Sequence, residues 1–104
     1  MANTLARLLA TSGVKFTTTA LLATPGANAA FTADEQLAAL RRHLSGDWGN
    51  LEAEDKAANN HALTDGSRLL SAYTIGAHKL WIVTEAEDDN GVRGVTTLLL
   101  PSEY

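Results

Sequence analysis

A chain of 104 residues with no cysteine, 12 acidic against 8 basic side chains and a net charge of −4 is one domain, long enough to bury its own core. The lack of cysteine excludes disulfide frameworks, thiolate zinc sites and cysteine nucleophiles, and fits a reducing, cytoplasmic setting. Mild acidity argues against direct nucleic-acid binding, which needs a basic face, and no apolar run reaches membrane-spanning length.

In chain order, Thr4–Ala10 carries Leu5, Leu8 and Leu9 at helical spacing, so residues 1–13 read as a short helix or a flexible extension. Arg7, Lys15, Ala20–Ala23 and Ala27-Asn28-Ala29 outline a signal peptide. Thr17-Thr18-Thr19 dilute its apolar part and Thr24-Pro25 interrupts it, so the segment reads as part of the fold. Val14–Leu22 turns β-branched and aromatic and predicts a strand, ended by Thr24-Pro25-Gly26. Thr32-Ala33-Asp34-Glu35 is a capping box. It opens a helix with Leu37, Leu40 and Leu44 on its apolar face and Gly46 as its stop. A second helix is expected over Leu51–Thr64, with an acidic first turn and a thin apolar face of Leu51, Ala58, Ala62 and Leu63.

Three apolar, β-branched runs follow: Arg68–Ile75, Lys79–Glu85 and Val95–Leu100. The turns between them are Gly76-Ala77-His78 and Glu87–Gly94, the latter with an Asn-Gly pair suited to positive φ. Apolar residues on both sides of the middle run predict a strand covered on both faces or a strongly curved sheet. The expected fold is α+β: a three- to four-stranded antiparallel meander sheet with two central helices packed on it, all in a single domain over 1–104.

The most site-like cluster is His43, Asp47 and Trp48. A histidine near a carboxylate can act as a general base oriented by the acid. A base without a nucleophile or oxyanion donors does not make an active site, and capping with ring burial accounts for the same residues. His43, His61 and His78 with Asp47 or Asp55 match no metal-ligand spacing. The run from Glu85 to Gly91 lacks the ligand pattern of a calcium loop and reads as a solvated hairpin that discourages edge pairing. No phosphate-binding glycine loop or nucleophile elbow occurs. Trp48, Tyr73 and Trp81 read as core. No catalytic, metal or cofactor-binding residue is therefore assigned. The candidate contact residues are Arg42, His43, Asp47 and Trp48 in the connector, and Glu87, Asp88 and Asp89 in the acidic loop.

Ala23–Ala27, Arg42-His43-Leu44-Ser45-Gly46-Asp47-Trp48-Gly49, Leu69–Tyr73, Lys79–Ala86 and Thr96–Tyr104 resemble a family of small plasmid- and mobile-element-associated bacterial proteins. Asp55, Asn59, Ala62 and Leu63 also fit its pattern. The Gly-Asp-Trp-Gly and Leu-Pro-x-Glu-Tyr segments are its most specific parts. Residues 1–15 lie outside the resemblance, and the Glu87–Gly94 loop is longer than the family's turn. Some members are labelled type I restriction modification subunit, but this chain lacks a methyltransferase's glycine-rich loop and Asn-Pro-Pro-aromatic motif.

Small size, mild acidity, absent catalytic motifs and this resemblance together lead to the expectation of a small non-catalytic protein-interaction module of a mobile element. The partner expected for it is a protein, with a host defence complex, whose CRISPR or restriction activity it would inhibit, as the candidate. The alternative is a small enzyme or ligand-binding domain with a site around His43, Asp47 and Trp48, with Asn59 nearby. No membrane partner and no cofactor are expected, and a homo-oligomer is left open.

Overall fold

The alternation of the C-terminal half is realised as three strands: β2 (Leu69–Ile75), β3 (His78–Thr84) and β4 (Val95–Leu99). They pair antiparallel in chain order, as the expected meander. The computed structural model describes residues 13–104, and the helical stripe at Thr4–Ala10 lies outside them. Of the two residues between β2 and β3, only Gly76 has positive φ, +62°. This is the backbone pattern of a tight hairpin turn that suits the twist of both strands.

A fourth strand, β1 (Ala20–Ala23), completes the sheet in the order β1-β4-β3-β2. It runs parallel to β4, so the sheet is mixed and not a purely antiparallel meander. Parallel neighbours need a long crossover, and the helical segment after β1 provides one. That segment holds α1 (Pro25–Ala30), α2 (Ala33–Leu44) and α3 (Ala53–Asp65). The strand expected over Val14–Leu22 is thus shorter and displaced. Its first part binds a helix end instead, the Lys15 N–H donating to the Leu44 carbonyl at 2.8 Å.

Strand register decides which side chains share a face, because side chains alternate along each strand. Leu69, Ser71 and Tyr73 lie opposite Thr84, Ile82 and Leu80, and Thr96 and Leu98 oppose Thr84 and Ile82. Against this face α1 contributes Ala27 and α2 contributes Ala39, Leu40 and Leu44, with Phe31 between them. The capping box of α2 is formed in both directions, Thr32 with Glu35. A smaller cluster joins Trp48, Ala62 of α3 and Leu69. Here the sequence expectation is corrected: Ala58 is exposed, and Asn59 and Ala62 are the buried residues of α3. On the opposite face, the short 3₁₀ turn Pro101–Glu103 brings Tyr104 edge-on to Trp81, 5.4 Å between ring centres. Glu103 anchors that turn by accepting from Thr24 Oγ1 at 2.6 Å, Leu100 N at 2.8 Å and Gly26 N at 3.1 Å.

The two sheet edges are unlike. On β2, Asn59 donates its amide to the Leu70 carbonyl (2.7 Å) and accepts from the Leu70 N–H (3.2 Å). Ala72 donates to Trp48 O and accepts from Asn50 N, through a parallel bridge between Gly49 and Ala72. Gly49 sits at φ +77°, and a Cβ there would fall on the Ala72 carbonyl oxygen and the Tyr73 ring. A side chain is therefore excluded twice, by backbone strain and by space. Gly49→Ala is expected to lower stability by at least about 2 kcal/mol, read as a fall in the urea midpoint at unchanged slope.

Candidate functional site

His43 projects from α2 into the sheet and is fully buried. Its Nδ1 lies 2.5 Å from Ser71 Oγ and its Nε2 lies 2.8 Å from Thr84 Oγ1. The hydroxyl chain continues from Thr84 to Thr96 (2.7 Å) and from Thr96 to Thr18 (2.9 Å), where Thr18 faces the Ala20 carbonyl. The carbonyl can only accept, so the hydroxyl protons run toward it from Thr84. Thr84 then has a lone pair for His43, which places the imidazole proton on Nε2 and leaves Nδ1 to accept from Ser71. Phe16 and Trp48 approach the ring edge-to-face, at 5.2 and 5.8 Å between centres. Burial, aided by the Arg93 cation, pushes the His43 imidazole down to about 3. It is a neutral group closed off from any substrate.

Asp47 does not orient it. The carboxylate turns outward to Arg42, with Oδ2 to Nε at 2.7 Å and Oδ1 to Nη2 at 3.2 Å, both side chains half exposed. The bonded Arg42 guanidinium holds the Asp47 carboxyl below the usual carboxylate range. Arg42 also covers the Tyr73 ring at 4.6 Å, and the Tyr73 hydroxyl donates to the Asp47 carbonyl at 2.6 Å. Trp48 is buried and donates its indole N–H to Asn60 Oδ1 at 2.9 Å. The alternative His43–Asp47–Trp48 site is therefore not assembled. Two of the three rings and groups face inward to different partners, and the third faces solvent. As candidate contacts, Arg42 and Asp47 are at the surface, whereas the buried His43 and Trp48 rings are not.

In the loop, Glu87, Asp88 and Asp89 are exposed. Glu87 lies 3.7 Å from the buried Arg93, and Asp88 Oδ1 accepts from Asn90 N and Val92 N, holding its own turn. Arg93 instead serves the fold. Its guanidinium donates to the carbonyls of Ser67 (2.7 Å), Ala62 (3.0 Å) and Glu85 (3.1 Å). Among the described residues no group of three or more His, Asp or Glu side chains is placed to hold a metal ion.

A concavity lies elsewhere: a groove of about 770 Å³ between β1 and α2, lined by Leu21, Phe31, Leu37, Leu40 and Leu98 among others, with Asp34 as the one ionisable side chain among the described residues that line it. Sequence reading missed both this groove and the hydroxyl chain. The signal for the chain was present: Ser71, Thr84 and Thr96 occupy strand positions that alternate with apolar neighbours on the inward face. Their mutual register, which brings them to one histidine, was not readable.

The depressed histidine sets the sign of a pH effect. The unfolded imidazole takes up a proton near 6.5 and the folded one only near 3. Stability is thus fully present above 6.5 and falls as the pH drops toward 3, with a slope approaching about 1.4 kcal/mol per pH unit. Urea unfolding between pH 7 and pH 4 should show this slope. In His43→Leu the histidine's share of the slope should be lost, leaving the shallower dependence that depressed carboxyls such as Asp47 give near pH 4. Stability at pH 7 should drop by about 1–3 kcal/mol, because the Ser71 and Thr84 hydroxyls lose their partner.

No protein-family model matches the chain, and neither a curated protein nor a solved structure matches it.

Proposed function

We propose that this chain is a small non-catalytic protein-interaction module that uses the groove beside β1 as its contact surface. The observation that carries the reading is the character of that groove: a mostly apolar concavity with Asp34 as the single ionisable residue among the described residues that line it. Catalytic sites combine apolar walls with convergent acid, base or nucleophile groups. This groove has the apolar lining without the convergence. The competing reading, a small enzyme around His43, Asp47 and Trp48, requires His43 to reach a substrate, and its ring is fully buried with both nitrogens engaged.

The partner class follows from the resemblance to mobile-element proteins: a host defence complex of the restriction or CRISPR type, held and thereby inhibited. Such an inhibitor needs area and shape rather than chemistry, which suits a small acidic domain. No helix among the described residues is long and apolar enough to cross a membrane.

The test is co-purification of the tagged full chain with candidate restriction and CRISPR complexes, alongside protection of a phage or plasmid in cells carrying them. Leu37→Glu within the groove should weaken capture at least about tenfold, as expected for a residue central to a contact, and Ala33→Arg at its exposed rim should weaken it in the same direction. Circular dichroism establishes that both variants are folded. Absence of capture and of protection overturns the reading, as does capture that neither variant weakens.

A further inference from the structure

We infer that the open edge of the sheet is a self-pairing surface, through which two copies of this chain join antiparallel along β1 about a twofold axis at Leu22. The inference goes beyond the interaction reading above and stands apart from it, because it concerns the backbone edge of β1 and not the groove.

The first ground is the unequal treatment of the two edges. Outward backbone groups of β2 are taken up by Asn59 and by the Trp48–Asn50 segment. β1 has no such cover among the described residues and ends the sheet. Exposed edges invite pairing, and proteins that avoid it place lysine, proline or a bulge within the strand. Ala20-Leu21-Leu22-Ala23 contains no lysine or proline.

The second ground is register. Ala20 N donates to Gly94 O and Thr24 N to Leu98 O, both across to the β4 side. By alternation, the N–H and C=O groups of Leu21 and Ala23 point away from β4, to the open edge. In an antiparallel pair, residues with outward groups oppose one another. A twofold axis at Leu22 places Leu21 of one copy opposite Ala23 of the other and Ala23 opposite Leu21, so every outward group gains a partner. An axis at Leu21 or at Ala23 pairs only that residue with itself. Leu22 then meets Leu22 on the face away from the helices, and it is 57% exposed, among the most exposed large apolar side chains described.

Charge points to a copy rather than to a charged foreign strand. No ionisable side chain occurs between Lys15 and Asp34. In a molecule of net charge −4, β1 meets its own image without opposing like charges, because Glu103, bonded to Thr24 and Gly26, sits past opposite ends of the two antiparallel strands, and β1 offers a charged partner nothing complementary. A four-residue strand alone falls short of the about 800 Å² per partner of a standard interface. The pair is therefore a weak, concentration-dependent one.

Sedimentation of the full chain from low micromolar to submillimolar concentration tests the inference. The expected result is a reversible dimer with slow amide exchange at Leu21 and Ala23. Leu22→Lys should raise the dissociation constant at least about tenfold, since the Leu22–Leu22 contact is lost and two ammonium groups are opposed. Ala23→Pro, which removes one outward N–H, should act in the same direction. A monomer at all concentrations overturns the inference, as does a dimer indifferent to both variants. A strand of another protein protecting Leu21 and Ala23 in place of a copy also overturns it. A monomer that captures a defence complex through Ala33 and Leu37 overturns the dimer and leaves the interaction reading standing. A β1 dimer without any such capture does the reverse.

Discussion

A neutral imidazole enclosed by hydroxyls holds α2 to the sheet. His43 bonds Ser71 on β2 through one nitrogen and Thr84 on β3 through the other, and Thr84 passes the chain to Thr96 on β4 and Thr18 before β1. A buried polar group costs free energy unless it is bonded, and among the described residues no buried side-chain nitrogen or oxygen lacks a partner. Each member therefore depends on the next, and the relative height of helix and strands follows from where the hydroxyls stand. Around this line the apolar core is non-directional: Leu40, Leu44, Leu80 and Ile82 fill space but do not set a register.

The connector after α2 is shaped by the same requirement. Gly46 and Gly49 have positive φ, which lets the chain reverse and then lie along β2. Trp48 closes over His43 and Phe16 while its indole N–H reaches Asn60. Arg42 and Asp47 staple the outside of the turn, an exposed pair of small energetic weight. The most chemically suggestive residues of the chain are thereby committed to folding. Among the described residues, the unpaired edge at β1 and the apolar groove beside it are not committed in this way.

Much of the fold was legible because its signals are local. The capping box Thr32–Glu35 and the stop at Gly46 bracket α2, and Gly66 in the left-handed conformation ends α3 one residue after Asp65. The three runs and their glycine turns became β2, β3 and β4 with boundaries close to those of the sequence pattern. Illegible parts depend on distant partners. The direction of β1 relative to β4 is decided by the crossover, not by anything within Ala20–Ala23. The role of Asn59 depends on the strand beside which α3 comes to rest. The groove exists only because α2 and β1 diverge, and no residue spacing records that gap.

The same division runs through the histidine. By itself the sequence determined that His43 ends a capped amphipathic helix, that hydroxyl side chains interrupt the apolar alternation of three strands, and that glycines flank Trp48. Those are consequences of near-neighbour geometry, where a period of 3.6 or 2 places each residue on a face. Only the tertiary structure decided that the hydroxyls converge on that imidazole and that Asp47 turns away to Arg42. Register between strands and the height of a helix above a sheet are settled by partners distant in the chain, here the hydroxyls that the buried imidazole must meet. A cluster that reads as chemistry in one dimension became, in three, the polar joint of the fold.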